Sequence, residues 1–411
     1  MSKGMGPIPD GFDADGMLLL IGGRRADHLV AEAGDTPLFV YDACMIADRI
    51  GRFRKAFSGI NLHYAIKANS YAPLLRGMSK HVDGLDVASA GEMAMAIAAG
   101  CEPSDISFAG PGKRDDELVA AIDAGVTLNV ESEGEAARAL AIGRARGRRP
   151  RLAVRVNPDF EIKGSGMRMG GGARPFGVDA ERVPSLVREL IVADAEFRGF
   201  HIFAGSQALS ADALIEAQAA TIALAARLAE AAGAPPPMVN LGGGFGIPYV
   251  SGDVPLNVEQ VGTALHDALA ARPKILAASG FAIELGRWLV GEAGVYLTRI
   301  VDRKISFGKT FLVTDGGMHH QLAASGNFGQ VVRRNFPVAI ASRFGAAPEE
   351  EVSIVGCLCT PLDRLADDVM MPAASVGDLV ALFLAGAYGR SASPEAFLGH
   401  PAPRELLVGN M

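Results

Sequence analysis

The sequence predicts an α/β protein: a parallel (β/α)8 barrel over residues 43–290, then a β-domain over 291–411 that the N-terminal segment 1–42 joins. Three observations predict it. Short apolar runs alternate with amphipathic helical stretches between Ala43 and Val290. There are eight such runs, the number that closes a barrel instead of leaving an open doubly wound sheet. After Val290 the pattern turns to β-like segments with little helix between them.

In chain order the barrel strands read LHYAIKA, GLDVAS, DISFAG, TLNVES, RLAVRVN, FRGFHIFAG, MVNLGGG and FAIELGR. GEMAMAIAAG, RDDELVAAIDAG and ALIEAQAATIALAARLAEAAG are helices between them, each stopping at a glycine, as helix C-termini often do. The second domain is read from VYLTRIVDRKI, KTFLVTDGG, EVSIVGCLC and DLVALFLAGAY, with DGMLLLIGG as the N-terminal contribution. After the fifth barrel strand comes a long Gly-rich loop. Its residues Lys163 to Gly172 suit either a cover, with Met167 and Met169 for adaptable apolar contact and Lys163 and Arg168 for an anionic group, or simply a disordered insertion.

Composition narrows the function. The 411 residues are 49% hydrophobic and 21% charged, which describes a globular chain rather than a disordered one. A net charge of −7 argues against a nucleic-acid partner, and the basic run GRARGRRPR reads as a solvated helix end. MLLLIGG is too short to span a bilayer, and MSKGMGPIPDGF lacks the pattern of a secretory signal. Four cysteines show neither a disulfide framework nor zinc spacing, so a reducing cytoplasm is expected.

The strand ends carry the chemistry. In order they offer Lys67, Asp86 with Ser89, Gly110, Asn129 with Glu131, Arg155 with Asn157, His201, Gly242 to Gly244, and Glu284 with Arg287. Active sites of barrels lie at that face. Ser89 and Asn157 also suit helix caps. Caps do not explain so many Lys, Arg, His and Glu side chains, so the barrel face is a site. NLGGGFG lets backbone N–H groups approach an anion, or is only a tight turn. A phosphate anchor, an amine able to form a Schiff base and a carboxylate able to hold a pyridinium proton together match pyridoxal phosphate.

YAIKAN, GLDVASAGE, GFHIFAGS, LGGGFG, ELGRWLV, GCLCTPLD and GAYG stand in the order found in the fold-type III pyridoxal phosphate decarboxylases. The chain resembles that family, which includes the diaminopimelate, ornithine and arginine decarboxylases and shares the alanine-racemase-like barrel. NPDFEIKGSGMRMGGGARPFGVD, FAGPGKRDDEL and SPEAFLGHPAPRELLV are similar to the subgroup tied to exosortase or exopolysaccharide loci, and to decarboxylases acting on a glutamyl group held by an acyl-carrier protein. The resemblance implies that Lys67 carries the cofactor and His201 stacks on its ring. It implies that Ser206 and Gly242, Gly243 and Gly244 bind the phosphate, helped by Gly286 and Arg287 of ELGR and by Tyr388 of GAYG. Asp86 and Arg155 would position His201 or the cofactor, and Glu284 would pair with the pyridine nitrogen. A carboxylate there keeps the ring a strong electron sink, whereas racemases of this fold place an arginine. ELGR departs from the family's EPGR by Leu285 in place of proline, which touches the local turn more than the chemistry.

By position in GCLCTPLD, Cys359 matches the cysteine that family members send into the neighbouring subunit's site to return a proton after decarboxylation. The family is a head-to-tail homodimer with shared sites. Asp363 either lines the pocket or is structural, and Arg287 and Tyr388 also border the substrate. Relatives acting on diamino substrates carry an acid directly after that cysteine; here Thr360 and Pro361 follow it. A hydroxyl cannot neutralise a buried ammonium, so the substrate is expected to be uncharged, acidic or attached to a carrier. The resemblance also puts Asp315 and His319 near the substrate. No metal is expected. Cys357 and Cys359 share a strand face without further ligands, and the neighbouring His319 and His320 point apart on an extended chain. The rival readings are a meso-diaminopimelate decarboxylase with an altered pocket, an amino-acid racemase, a non-catalytic cofactor-binding protein and an interaction module that has lost catalysis.

Overall fold

The computed structural model describes residues 4–160, 167–168, 171–326 and 333–411. The chain divides into two compact units. Residues 50–247 and 255–286 form one of them; residues 1–49, 248–254 and 287–411 form the other.

The first unit is the barrel. Its parallel strands are Asn61–Ala65, Gly84–Val87, Ile106–Phe108, Thr127–Val130, Arg151–Asn157, Glu196–Ile202, Met238–Asn240 and Gly280–Leu285, paired in chain order. The eighth closes on the first, Ala282 opposite Asn61 and Leu285 opposite Tyr64. Each strand matches one of the eight apolar runs. Leu62, Tyr64, Leu85, Ile106, Phe108, Leu128, Val130, Leu152, Val154 and Ile283 are essentially inaccessible, the expected state for a parallel sheet covered by helices.

Local chemistry sets the helix ends. Ser89, Ser132 and Asn257 each accept an N–H three residues on, from Glu92, Glu135 and Gln260. Ser89 is thus the cap that the sequence left open. Left-handed Gly125, Gly147 and Gly233 end the helices Asp115–Ala124, Glu133–Arg146 and Ala211–Ala232. Of the expected cover, Lys163 and Met169 lie outside the described residues. The backbone of Met167–Arg168 pairs antiparallel with Gly205–Ser206.

The second unit is built on the long strand Gly294–Ser306, which pairs with Leu38–Asp42, Leu379–Leu382 and Lys309–Thr314. Arg404–Val408, Val338–Ile340, Glu350–Val355 and Arg364–Met371 extend the sheet. The N-terminal segment stands in this unit: DGMLLLIGG supplies the middle strand of a separate three-stranded ribbon of Asp13–Asp15, Leu18–Ile21 and Arg24–Arg25, and the fully buried LFVYD of Leu38–Asp42 pairs in the main sheet. One expectation needs correction here. Cys357 and Cys359 are on no strand. Glu350–Val355 ends before Gly356, and the bend that follows leaves Cys357 half-buried and Cys359 exposed, so they share no face.

Candidate active site

Strand alternation points one set of residues inward. His63, Asp86, Asn129, Arg155, His201, Asn240 and Glu284 are polar side chains on strands whose other face is packed with Leu, Val and Ile. Their polar groups must satisfy one another or a ligand. His201 Nε2 is 2.9 Å from Glu284 Oε2, and Asn240 Nδ2 donates to the same oxygen at 3.3 Å. Burial alone would raise the Glu284 carboxyl, but His201, Lys67 and Arg155 outweigh it and hold the group well below the usual carboxylate range. On the neighbouring strands His63 Nδ1 stands 3.3 Å from Asp86 Oδ1. Burial, reinforced by Glu284, pushes Asp86 up; Asp86, Glu284 and Asp83 lift His63 against its own burial.

Arg155 is fixed sideways rather than toward His201. Its Nη1 donates to Glu131 Oε1 at 2.7 Å, and the guanidinium lies 4.9 Å over the Phe176 ring. Glu131 also takes the N–H groups of Gly110 and Gly177, tying three barrel loops together. Beside it the buried Lys113 of FAGPGKRDDEL donates to Gly110 O, Asn129 O and Glu135 Oε1 at 2.7–2.9 Å. Lys67 does not extend the first strand. It sits on the single 3-10 turn Ile66–Ala68, which lifts its ammonium to 5.8 Å over the Phe203 ring. Gly286 lets the eighth strand end against that turn, since a Cβ there would meet the Ala68 Cβ at 2.8 Å.

Gly242–Gly244 form a close-packed cradle. A Cβ on Gly243 would overlap the Glu284 carbonyl, and Gly242 and Gly244 adopt φ of +70° and +82°. Ser206 Oγ, His201 Nδ1 and Asp86 Oδ2 are buried with no hydrogen-bond partner among the described residues. A phosphate accepts from a hydroxyl and from glycine-loop N–H groups, and an aromatic ring nitrogen pairs with a carboxylate kept ionised. The residues present therefore fit pyridoxal phosphate.

In the second unit Arg287 opens the short helix Arg287–Val290 and donates to the Tyr249 hydroxyl at 2.6 Å, with its guanidinium 4.7 Å over the Tyr388 ring. Tyr388 holds φ +54°, an unusual conformation for an aromatic residue and one that clusters at functional sites. Asp363 is buried, and its Oδ1 and Oδ2 accept the Met318 and Leu358 N–H groups at 2.6 and 2.8 Å. That is the structural role, one of the two readings open from sequence. Asp315 likewise serves the chain, accepting from Thr298 Oγ1 and the Arg299 N–H. Thr360 is half-buried in the bend after Cys359. His319 and His320 do not point apart: a turn brings their rings together, centroids 3.7 Å apart and planes tilted by 43°.

A parallel barrel with a lysine turn, a close-packed triple glycine and a carboxylate held ionised fits a pyridoxal phosphate enzyme of the alanine-racemase-like fold. Comparison with known proteins narrows the class. Residues 44–291 match the family described as pyridoxal-dependent decarboxylase, pyridoxal binding domain. The chain is 37% identical over 385 residues to the L-glutamyl-[BtrI acyl-carrier protein] decarboxylase of Niallia circulans, spanning 92% of this chain and 89% of that one. It is 32% identical over 408 residues to the diaminopimelate decarboxylase of Methanothermobacter thermautotrophicus, spanning 95% and 90%. The structure of Helicobacter pylori diaminopimelate decarboxylase complexed with L-lysine superposes with a TM-score of 0.81 at 26% identity, over 93% of this chain and 94% of that one. The chain belongs to the pyridoxal-dependent decarboxylases and is a carboxy-lyase whose cofactor is pyridoxal phosphate. No helix of the described residues is long and apolar enough to cross a membrane.

Proposed function

We propose that this decarboxylase acts on an amino acid lacking a free distal ammonium, and that the best match is a glutamyl group delivered on an acyl-carrier protein. The observation that carries the reading is Thr360 with Pro361 directly after Cys359. No carboxylate stands there to receive an ammonium, and an unpaired buried ammonium costs about 3–5 kcal/mol. The 37% identical relative, named for a carrier-bound glutamyl substrate, supports the same reading.

When bound, pyridoxal phosphate supplies the sink for the electron pair left as carbon dioxide departs. Lys67 holds the cofactor covalently through Nζ. Ser206 and Gly242–Gly244 hold the phosphate, with Gly286 keeping the lysine turn close to the eighth strand. Glu284 keeps a proton on the ring nitrogen, and Asn240 and His201 orient its carboxylate. His201 also offers a ring face to the cofactor. Asp86 acts on the site through His63, and Arg155 through Glu131. From the β-domain, Arg287, Tyr388 and Thr360 serve cofactor or substrate, Asp363 holds the Met318 and Leu358 backbone in place, and Cys359 returns a proton to the α-carbon. We read the enzyme as a cytoplasmic homodimer with shared sites, its chain parted near residues 42 and 290.

Carbon dioxide release measured side by side from glutamyl-loaded carrier protein, free glutamate, meso-diaminopimelate and ornithine tests this. Carrier-bound glutamate should exceed both diamino substrates in kcat/KM by about a hundredfold or more, the factor that 3–5 kcal/mol implies. Fastest release from meso-diaminopimelate or ornithine would overturn the substrate reading and leave the reaction class standing.

A further inference from the structure

We propose that His319, Cys357 and His400 form a binding site for a divalent zinc ion in the β-domain. Their ligand atoms all lie within 4.8 Å of one another, and Cys357 Sγ is 3.7 Å from His400 Nδ1. Zinc bonds of about 2.3 Å to sulfur and about 2.0–2.1 Å to nitrogen at tetrahedral angles separate such a pair by roughly 3.6 Å. The Cys357–His400 spacing, a thiol–imidazole hydrogen bond without an ion, is also what a shared ion spans, and His319 would close in from within 4.8 Å.

His319 supplies the independent observation. Its ring is fully buried, yet neither nitrogen has a hydrogen-bond partner among the described residues. A buried imidazole with no partner is an uncompensated loss that a metal bond would remove.

The surroundings hold the ligands as supporting residues hold a metal centre. Asp363 accepts the N–H groups of Met318 and Leu358, each adjacent to a ligand, and so clamps the His319 turn to the Cys357 bend. Gly317 and Gly356 are glycine because a Cβ on either would overlap the Asp363 carboxylate. His320 fixes the third ligand: its Nδ1 meets the Tyr296 hydroxyl at 2.9 Å, and its Nε2 meets the carbonyl of Pro401, the residue after His400, at 3.0 Å. Two imidazoles and a thiolate are a donor set suited to zinc, with a fourth position left open to water or another ligand. On binding, the Cys357 thiol releases its proton to solvent as the Zn–S bond forms. Cys357 lies two residues before Cys359, so the ion would fix the bend that carries Cys359 and Thr360.

The test is the zinc content of the holoenzyme after equilibration with zinc and dialysis into metal-free buffer, together with the visible spectrum of cobalt-substituted protein. We expect about one zinc per chain in the unaltered protein and in Cys359→Ser. Cys357→Ser and His400→Gln should each lower zinc affinity at least tenfold, and the cobalt form should show tetrahedral bands that Cys357→Ser removes. Zinc content equal in the unaltered protein and both ligand variants, or loss of zinc in Cys359→Ser alone, would overturn the site. If a variant does not fold, unaltered protein that binds no cobalt in tetrahedral geometry refutes the proposal by itself.

Discussion

Glu284→Gln separates the charge of the barrel's axial carboxylate from its shape. Glu284 Oε2 accepts from Asn240 and faces His201 Nε2, and a glutamine oxygen can occupy the same place with both contacts kept. What changes is that two charge-assisted hydrogen bonds, worth about 1.5–3 kcal/mol each, become neutral ones of about 0.5–1.5 kcal/mol. The cofactor-free protein should therefore lose about 1–3 kcal/mol in denaturant unfolding. The loss should depend on pH in a defined sense. Glu284 is held below its ordinary value in the folded state, so its contribution is fully present above about pH 4.5 and disappears as pH falls toward the lower folded value. The gap between the two proteins should be constant from pH 6 to 8 and shrink in acid. Catalysis should suffer more. Removing a preorganised charge from a site where charge develops costs about 10²–10³-fold in kcat. Carbon dioxide release under saturating substrate, on protein whose absorbance shows full cofactor loading, gives that number. A loaded Gln variant keeping more than a tenth of kcat, or a stability gap that widens in acid, would refute the role assigned to this carboxylate.

Gly243→Ala drives a methyl into the Glu284 carbonyl, main chain that cannot step aside, so cofactor affinity in a pyridoxal phosphate titration should fall at least tenfold; unchanged affinity would remove the glycine cradle from the phosphate site. Lys67→Ala should fold, judged by circular dichroism, yet lose its visible absorbance on dialysis, and retained colour would show that the cofactor is not covalently held there. Asp363→Ala strands the buried Met318 and Leu358 N–H groups at about 1–3 kcal/mol each, so unfolding should be easier by about 2–6 kcal/mol; a change under about 0.5 kcal/mol would mean the clamp is dispensable.

The barrel was legible because its signal is local. Each apolar run is a strand, and glycine or serine marks the helix ends where the chemistry requires them. Lys67, His201, Glu284 and the triple glycine stood out as polar or flexible groups ending apolar strands. His63 and Asn240 were overlooked although the same alternation marks them: counting back by twos from Ala65 and Gly242 reaches both. Arg155 was legible as an inward residue but not in its partner. Its ion pair with Glu131 joins neighbouring strands, and no spacing within either strand encodes it. His400 could not be found at all, because a loop 43 residues after Cys357 becomes its neighbour only through folding. The Cys357 bend reads as strand in the sequence because the apolar run from Ile354 continues through Cys359; in the structure the strand ends at Val355, and the Leu358 N–H bonds the Asp363 carboxylate instead of a neighbouring strand.

On the proposed reading the reaction type rests on groups fixed to barrel strands, and their environment makes the charge state of Glu284 a property of the scaffold. Burial works against an ionised carboxyl, yet His201, Lys67 and Arg155 keep it ionised. A substitution at any of these would disturb several buried partners at once, since Arg155 is bound to Glu131 and Glu131 to two loop amides. Thr360 is differently placed. Its hydroxyl stands in a bend, accepting a long 3.4 Å contact from the Leu362 N–H, and a side chain there can change without stranding a buried charge. On the proposed reading, substrate preference can therefore shift at Thr360 while the decarboxylating machinery stays intact. Thr360→Glu should raise activity toward a diamino substrate and leave the absorbance of the bound cofactor as it was. A variant that bleached the cofactor instead would show that the bend and the cofactor site are one unit.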